Sequence, residues 1–391
     1  MAKVIVGFSG GVDSSVAAYL VKQQGHEVEA LYMQNWDDTT GLKDGECQWE
    51  EDYNYAKMIA KQLNIPLEKL NYSEQYRDRI VNYMFDEYKA GRTPNPDVLC
   101  NREVKWDLFL NEALKRGADY VATGHYCRKN VKNIDGDKRY SLLKGLDVNK
   151  DQSYFLCQLN QFQLSKALFP IGDMNKSQVR ELALKLDLAS ANKKDSQGLC
   201  FIGKVDLPTF LQQKLISKSG DIIEISKEKA VELTIDIDQN DFKQVALPIN
   251  LKKEYGTVIG KHNGAQFYTI GQRRGLGVGG KVEPLFIVQI DVQNNIIYVG
   301  EGKKHALLNR KGLFIKENEI HYLDNSNSLK IGETKEYDVK IRYRQKSQKA
   351  KLIKTAEGLF IYFDELQSGI APGQFAVWYK GDELIGSGVI S

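Results

Sequence analysis

The N-terminal half of the chain alternates short apolar runs with longer segments whose apolar residues recur at helical spacing. The runs predict strands at residues 4–6, 28–33, 65–67 and 118–126, and the spacing predicts helices at 16–21, 50–63, 73–88, 102–116 and 176–186. Strands joined by helices form right-handed βαβ units, which build a parallel sheet. The pattern therefore predicts an α/β domain with a doubly wound parallel sheet over residues 1–205.

The C-terminal part follows a different pattern, in which short runs suggest antiparallel strands. These strands are predicted at residues 285–291, 296–300, 312–316, 337–343, 349–353, 359–363, 376–379 and 383–390. Asn294 and Asn295 suit a tight hairpin turn, and eight such strands suggest a small β-barrel over residues 283–391. Between the two regions, residues 206–282 open with a predicted helix near Asp206 and become glycine-rich, so we interpret them as a small central domain.

Composition narrows the class of protein. The chain has 391 residues, 42% of them hydrophobic and 27% charged, which is typical of a globular protein with two or three domains. No apolar run approaches the ~20 residues of a membrane span. Met1 and Lys3 lead directly into a strand without a signal peptide, so we expect a cytoplasmic protein. A net charge of +3 is too small to indicate nucleic-acid binding by itself.

The five cysteines and five histidines are scattered along the chain, and no Cys-x-x-Cys pair occurs. This spacing argues against structural zinc, and we predict no resident protein-bound metal. In a reducing compartment, isolated cysteines are either small buried hydrophobic residues or working thiols. Local sequence must decide between these two alternatives.

The candidate chemistry begins with Phe-Ser-Gly-Gly-Val-Asp-Ser-Ser at residues 8–15, between the first predicted strand and the first predicted helix. Free N–H groups at a helix N-terminus attract anions. Paired glycines let the backbone approach a phosphate, and serine hydroxyls add donors. No lysine follows the glycines, so this is not the usual P-loop. The alternative is a turn that needs glycine only for its conformation.

Two polar loops carry the thiols of greatest interest. Cys100 follows Thr-Pro-Asn-Pro-Asp at residues 93–97, and we expect Asn101 to cap a helix there. A helix N-terminus and the nearby Arg102 would both lower the thiol pKa, and Asp97 is a candidate acid or base. Cys200 lies in a glycine-punctuated loop at residues 192–203. For both cysteines, simple burial remains the alternative.

The carboxyl ends of parallel strands border the ligand in open α/β sheets. Met33 and the Gly124-His125 pair occupy such ends, although either position could be structural. In the C-terminal part, residues 339–354 carry seven cations and no carboxylate. Strand alternation would put Lys340, Arg342 and Arg344 on one face, which matches a phosphate backbone. A solvated charged face is the alternative.

Residues 9–14 resemble the SGGxDS signature of the PP-loop ATP pyrophosphatases, which cleave ATP between the α and β phosphates. More specifically, the chain resembles the bacterial tRNA-specific 2-thiouridylases. The resemblance rests on Asn-Trp-Asp at 35–37, the segment 93–97 with Cys100, Asp-Ser-Gln-Gly-Leu-Cys-Phe-Ile-Gly at 195–203, and Tyr-Thr-Ile-Gly-Gln-Arg-Arg-Gly-Leu-Gly at 268–277. It spans nearly the whole chain. Residues 226–255 look longer than the corresponding region of the family, which suggests an insertion.

This resemblance implies an ATP-dependent sulfur transfer to the anticodon arm of tRNA. ATP, with Mg²⁺, would adenylate the wobble uridine at C2. A sulfur-carrier protein or cysteine desulfurase would load a persulfide on Cys200. Sulfur would displace AMP, and the nucleophile Cys100 would close a disulfide with Cys200. The enzyme would act as a monomer with no membrane association.

The resemblance also implies which residues bind each substrate. Those implied for ATP are Gly7, Phe8, Ser9, Gly10, Gly11, Val12, Asp13, Ser14, Met33 and Gly124. Those implied for the target base, with Asp97 as acid or base, are Asn95, Pro96 and Asp97. Those implied for the rest of the tRNA are His125, Lys150, Asp151, Gln152, Arg342, Tyr343 and Gln374.

Two alternatives stay open at this point. A PP-loop ligase or amidotransferase would adenylate a carboxylate without using thiols. A non-catalytic RNA-binding module would retain the ATP fold without its reaction.

Overall fold

The computed structural model describes residues 1–37, 49–134, 136–194 and 207–391. Its N-terminal half contains seven strands within these ranges: β1 (Lys3–Gly7), β2 (Glu27–Gln34), β3 (Leu67–Asn71), β4 (Tyr120–Ala122), β5 (Cys127–Ile134), β6 (Asp137–Lys144) and β7 (Ala167–Leu168). Five of them form a parallel sheet in the order β3-β2-β1-β4-β7. The predicted parallel sheet is confirmed.

Helices cover both faces of this sheet. They are α1 (Val12–Gln23), α2 (Trp49–Leu63), α3 (Ser73–Tyr76), α4 (Asn82–Lys89), α5 (Pro96–Cys100), α6 (Leu110–Lys115), α7 (Gln161–Lys166) and α8 (Lys176–Lys185), with helical turns at Arg77–Val81 and Asn101–Phe109 that join α3 to α4 and α5 to α6. In β1, Val4 and Val6 pack with α1, α2 and α8, whereas Ile5 packs with the helices on the opposite face. The continuous apolar run of β1 therefore fills two cores, as a doubly wound sheet requires.

A second, four-stranded sheet forms the centre of the molecule. It contains β8 (Gly220–Glu224), β9 (Thr257–His262), β10 (Leu285–Asp291) and β11 (Ile296–Glu301) in the order β10-β11-β8-β9. The short helices α9 (Leu207–Leu211), α10 (Lys227–Thr234) and α11 (Phe242–Ala246) accompany it. The expectation that residues 285–300 belong to the C-terminal barrel is wrong, because β11 pairs in parallel with β8. Local alternation identifies a strand but not its partner.

The C-terminal sheet is antiparallel and has nine strands. Its own strands are β12 (Asn309–Lys316), β13 (Ile320–Tyr322), β14 (Thr334–Lys340), β15 (Gln348–Lys354), β16 (Gly358–Ser368), β17 (Phe375–Lys380) and β18 (Glu383–Val389). The hairpin β5–β6 extends it, because Leu143 in β6 pairs with Glu383 in β18. This hairpin connects the N-terminal domain to the C-terminal sheet through the backbone itself.

The basic segment 339–354 is not a single strand. The strand β14 ends at Lys340, a turn follows, and β15 begins at Gln348 and runs antiparallel to β14. The predicted alternation therefore does not continue through Arg342 and Arg344, which lie in the turn. Within the part of the chain that is described, no helix has both the length and the apolar character needed to cross a bilayer.

Candidate functional site

The glycine-rich turn joins β1 to α1 at the carboxyl edge of the parallel sheet. Gly10 has a φ of +69°, and a Cβ built on it would lie 2.0 Å from the backbone oxygen of Asp52. Both observations require glycine at this position. The following helix begins at Val12, and the Gly11 N-cap makes no side-chain capping bond. The first N–H groups of α1 thus lack a side-chain cap, as an anion site needs.

Serine hydroxyls hold the turn in shape. Ser14 Oγ lies 3.2 Å from the Ser9 N–H and donates to the carbonyl of Gly11 at 3.1 Å. The Ser15 hydroxyl donates to the same carbonyl at 2.7 Å. Ser14 and Ser15 are buried, so these bonds stabilise the conformation of the loop. A preformed loop loses less conformational entropy when it binds phosphate.

Asp13 is anchored by two side chains that sequence reasoning missed. The hydroxyl of Tyr126 donates to Asp13 Oδ1 at 2.8 Å, and Lys176 Nζ approaches the same oxygen at 2.7 Å. The Lys176 side chain is only 12% exposed. Lys176 is the first residue of α8, which packs against α1. The fold therefore places a lysine beside the loop, although the motif itself contains none. Lys176 lies 163 residues after Asp13, so no local sequence pattern indicates that the two side chains meet.

The other residues predicted to bind ATP surround this loop. Gly124 lies so close to the start of α1 that an added Cβ would come within 2.8 Å of the Ser14 nitrogen. Phe8 and Met33 are buried in the two cores of the sheet, and the Phe8 N–H donates to the carbonyl of Leu31 at 3.0 Å. In this structure Phe8 and Met33 therefore act as packing residues beside the loop.

In the segment predicted to face the target base, the helix begins earlier in the chain than expected. Helix α5 starts at Pro96, and its N-cap is Asn95, whose Oδ1 accepts the Val98 N–H at 3.2 Å. The prediction that Asn101 caps this helix is wrong. Proline at the first helical position is favourable because its missing N–H would have no helical partner there. Pro96 is consequently the first residue of the helix, and Pro94 lies just before the N-cap.

Asn95 and Gln374, both of which the resemblance implies for tRNA, lie close together. Gln374 Nε2 donates to the carbonyls of Thr93 at 2.9 Å and Pro94 at 3.1 Å, and its Oε1 lies 3.4 Å from Asn95 Nδ2. The Thr93 N–H also donates to the carbonyl of Pro372 at 2.7 Å. The C-terminal sheet domain thus holds the loop that precedes Cys100.

Cys100 lies at the end of α5 and is fully buried. It is therefore not at a helix N-terminus, which was one of the two features expected to lower its pKa. The other feature, Arg102, makes an ion pair with Glu103 at 2.7 Å. Asp97 is partly buried in the first turn of α5. Cys200 lies outside the described residues, as do all residues from 195 to 206.

His125 is buried beside the end of β4, and its Nδ1 lies 2.8 Å from the Thr123 hydroxyl. Burial, assisted by the charge of Lys105, holds the pKa of His125 well below its usual range, so its ring is neutral. Gln152 accepts the Tyr126 N–H at 3.0 Å, while Lys150 is partly exposed. His125 thus faces protein, whereas Gln152, like Lys150, is partly exposed.

Asp151 links the N-terminal domain to the C-terminal sheet. It is 4% exposed, accepts the N–H groups of Gly145 at 3.2 Å and Ser153 at 3.1 Å, and pairs with Lys340 Nζ at 3.5 Å. The Lys340 side chain is 11% exposed. This cation neutralises a buried carboxylate, so it does not belong to a solvated basic row.

Arg342 and Tyr343 lie in the turn between β14 and β15. Arg342 Nη2 donates to the carbonyl of Ser368 at 2.6 Å and also to that of Gly369. The Tyr343 ring packs 4.3 Å from the ring of Phe155. Burial, and secondarily the charge of Asp151, raises the pKa of Tyr343 to about 12. No group of three or more metal-ligating side chains occurs among the residues that are described.

Comparison with known proteins adds to this geometry. Three family models match in order: a tRNA methyl transferase HUP domain at residues 2–204, a tRNA methyl transferase PRC-barrel domain at 248–301, and an aminomethyltransferase β-barrel domain at 312–390. The chain is 53% identical over 398 residues to the tRNA-specific 2-thiouridylase MnmA of Flavobacterium johnsoniae, covering 100% of both chains. The chain belongs to the tRNA-specific 2-thiouridylase family.

More distant relatives agree with this assignment. The 2-thiouridylase MnmA of Karelsulcia muelleri is 45% identical over 389 residues, covering 100% of this chain and 98% of its own. That of Bacillus subtilis is 44% identical over 389 residues, covering 99% of this chain and 94% of its own. Membership in the 2-thiouridylase family confirms the resemblance drawn from the motifs and favours it over a carboxylate-adenylating ligase.

Proposed function

We propose that this chain is an ATP-dependent tRNA-uridine 2-sulfurtransferase that converts the anticodon wobble uridine to 2-thiouridine, releasing AMP and pyrophosphate. The observation that carries the proposal is the full-length match to a curated 2-thiouridylase, at 53% identity and without an uncovered domain on either side. The preformed anion loop at the carboxyl edge of the sheet supports the ATP-dependent half of the reaction.

In the first half-reaction, the turn at residues 9–14 binds the triphosphate. The N–H groups of α1 point to the phosphates, and Lys176 supplies a cation beside the loop. Mg²⁺ bound with ATP takes most of its ligands from phosphate and water. The Asp13 carboxylate, which is 33% exposed, would supply a protein ligand to this ion. The ion would neutralise the charge of the departing pyrophosphate. Uridine O2 attacks the α-phosphorus, so that AMP becomes the leaving group.

In the second half-reaction, Cys200 carries a persulfide received from a sulfur-carrier protein or a cysteine desulfurase. The terminal sulfur forms a bond to C2, and the C2–O bond to AMP breaks. The thiolate of Cys100 then attacks Cys200 Sγ. That attack breaks the persulfide bond, leaves the electron pair on the sulfur of 2-thiouridine and forms a Cys100–Cys200 disulfide. An external thiol must reduce this disulfide before the next turnover.

The target base must leave the anticodon loop to reach this chemistry. Bases in such loops are unpaired, so splaying one out costs only modest unstacking energy. We place the base near Asn95, Pro96 and Asp97, with Asp97 as acid or base. The tRNA would lie across His125 and the segment 150–152 on one side and Arg342, Tyr343 and Gln374 on the other. Because His125 and Asp151 are buried, these two would act by positioning their neighbours.

The remaining expectations belong to the same proposal. We propose an adenylation domain at residues 1–205, a central domain that extends from residue 206 through β11, and a C-terminal tRNA-binding domain. The enzyme would work in the cytoplasm as a monomer. The support for three units is the division of the strands into three sheets.

Nucleoside mass spectrometry on total tRNA from a strain that lacks this gene tests the proposed function. We expect 2-thiouridine derivatives to disappear and to return when the gene is supplied on a plasmid. Undiminished 2-thiouridine in the deletion strain would contradict the proposal. A plasmid copy with Asp13→Ala controls for ATP use, because a non-catalytic RNA-binding protein would not need this carboxylate.

A further inference from the structure

A cavity of about 830 Å³ lies where the three sheet domains meet, away from the turn at residues 9–14. Its walls come from residues 90–92 after α4, from the segment 234–251, from β10, from the start of β12 and from residues 366–372. Ligand cavities typically measure about 300–1,000 Å³. The cavity is therefore large enough for a small organic molecule.

One wall is built by the segment 226–255, to which the thiolation reaction gives no role. The segment is held against the C-terminal sheet by two hydrogen bonds, from Tyr362 Oη to the carbonyl of Gln239 at 2.8 Å and from Arg310 Nη1 to the carbonyl of Ala246 at 3.1 Å. Gly312 permits this approach, because an added Cβ would lie 3.0 Å from the Ala246 backbone. The wall is thus a packed part of the fold.

The cavity is lined mainly by aliphatic side chains, among them Leu247, Ile249, Val288 and Ile290. Phe, Tyr, Trp and His are all absent from the described lining residues. Proteins that bind exposed nucleobases commonly stack them on aromatic rings. The lining consequently favours an aliphatic ligand over a nucleotide.

The charge of the lining has a single sign. Its ionisable residues within the described ranges are Arg92, Lys303, Lys304, Arg310 and Lys311, with no Asp or Glu. Arg92 is neutralised by Glu87. Arg310 is partly buried, and burial lowers its pKa to about 10. A half-buried cation among aliphatic side chains is stabilised by an anion that shares its surroundings.

We propose that this three-domain cavity binds an aliphatic carboxylate, with the hydrocarbon chain against the apolar walls and the carboxylate on Arg310. The guanidinium is suited to a carboxylate because its N–H donors match the two oxygens. Since the walls come from three domains, the ligand also stabilises their mutual arrangement. This inference does not depend on the thiolation reaction.

Isothermal titration of the full chain with dodecanoate tests the proposal, with dodecanol as the uncharged ligand of equal length. We expect one saturable dodecanoate site per chain and at least tenfold weaker binding of dodecanol. Arg310→Gln should weaken dodecanoate binding at least tenfold, and Arg310→Lys should retain part of it. Lys346→Ala, which changes an exposed cation outside the cavity, should leave the affinity unchanged.

Arg310 also supports the wall through Ala246, so a second variant separates binding from folding. Leu247 is 54% exposed, and Leu247→Asp places a negative charge at the cavity without removing buried packing. It should weaken dodecanoate binding while the melting temperature stays within the range of the wild-type chain. Absence of a saturable site, or equal affinity in the wild-type chain, Arg310→Gln and Leu247→Asp, would overturn the proposal. Co-sedimentation with phosphatidylglycerol vesicles without binding of free dodecanoate would also overturn it, since the anion would then come from a lipid surface.

Discussion

Replacing Lys176 by methionine tests whether the fold supplies the lysine that the glycine-rich motif lacks. Lys176 Nζ lies 2.7 Å from Asp13 Oδ1, beside the first turn of α1. A hydrogen bond between charged groups contributes about 1.5–3 kcal/mol, which corresponds to roughly 10–150-fold in affinity. We therefore expect Lys176→Met to raise the Kd for ATP by about one to two orders of magnitude.

The effect on folding should be much smaller. The Asp13 carboxylate is 33% exposed and keeps its hydrogen bond from Tyr126, so solvent and a neighbour compensate for the lost cation. We expect a loss of at most about 1 kcal/mol in the free energy of unfolding. A large loss of ATP affinity without a matching loss of stability would distinguish a phosphate ligand from a structural lysine.

Equilibrium titration with ATP, followed by calorimetry in the absence of tRNA, is the assay. Lys185→Met is the matched control, because Lys185 lies on the same helix, is 68% exposed and pairs with Glu181 one turn away. Lys176→Arg should recover part of the affinity, since it restores the charge. If Lys176→Met binds ATP as tightly as the wild-type chain, the proposed role of Lys176 is refuted.

Three further predictions concern stability and the contact between domains. Burial lowers the pKa of His125, His262, His305 and His321. Below pH ~6.5 these histidines therefore bind more protons in the unfolded chain than in the folded one. The free energy of unfolding should consequently fall as the pH drops. Urea titrations at pH 7.5 and 5.5 should show this loss, and a smaller one in His125→Asn; equal pH slopes would contradict the assignment to His125. Lys340→Met leaves the Asp151 carboxylate, which is 4% exposed, without its cation, and should lower the free energy of unfolding by about 3 kcal/mol in urea titration. The control Lys349→Met breaks the more exposed pair with Asp338 and should lower it by less than about 1 kcal/mol. Equal losses would contradict the role given to the buried pair. Gln374→Ala removes hydrogen bonds to the carbonyls of Thr93 and Pro94. A loss of about 1–2 kcal/mol should lower kcat/KM for tRNA by roughly 5–30-fold, while the Kd for ATP stays unchanged. A matching change in ATP affinity would contradict a role confined to tRNA binding.

Features fixed by local sequence could be predicted well. The apolar run of β1, the glycine-rich turn and the spacing of α1 all lie within residues 3–23, so pattern and motif sufficed to predict the strand, the turn and the helix there. The helix over 176–186 was also predicted nearly to its ends. Here neighbouring residues both form the element and determine its role.

Features that depend on distant partners could not be predicted. Nothing near Lys176 indicates that it reaches Asp13, because α8 comes to α1 only through the fold. The pairing of β11 with β8 reassigns two strands that alternation alone had placed in the barrel. The helix predicted from residue 102 is preceded by α5, which starts at Pro96, although proline in the first turn favours a helix.

The burial of charged residues was the other source of error. The sequence predicts that Lys340 belongs to a basic strand face. In the structure, however, Lys340 pairs with Asp151, which lies 189 residues earlier and is buried with it. Sequence gives the sign of each charge along the chain, whereas neutralisation depends on which carboxylate the fold brings near. Arg342 is exposed, but it binds the backbone carbonyls of Ser368 and Gly369, and the local sequence does not indicate this contact either.

The central claim, that two cysteines exchange sulfur onto an adenylated uridine, is tested most directly by a reconstituted reaction. Purified chain, ATP, a persulfide-loaded donor and unmodified tRNA are combined. The nucleosides are analysed by mass spectrometry, and the released pyrophosphate and AMP are measured. We predict 2-thiouridine with the wild-type chain and none with Cys100→Ser or Cys200→Ser, while both variants still release pyrophosphate on the first turnover, because adenylation precedes sulfur transfer. Undiminished 2-thiouridine from either variant would contradict the account.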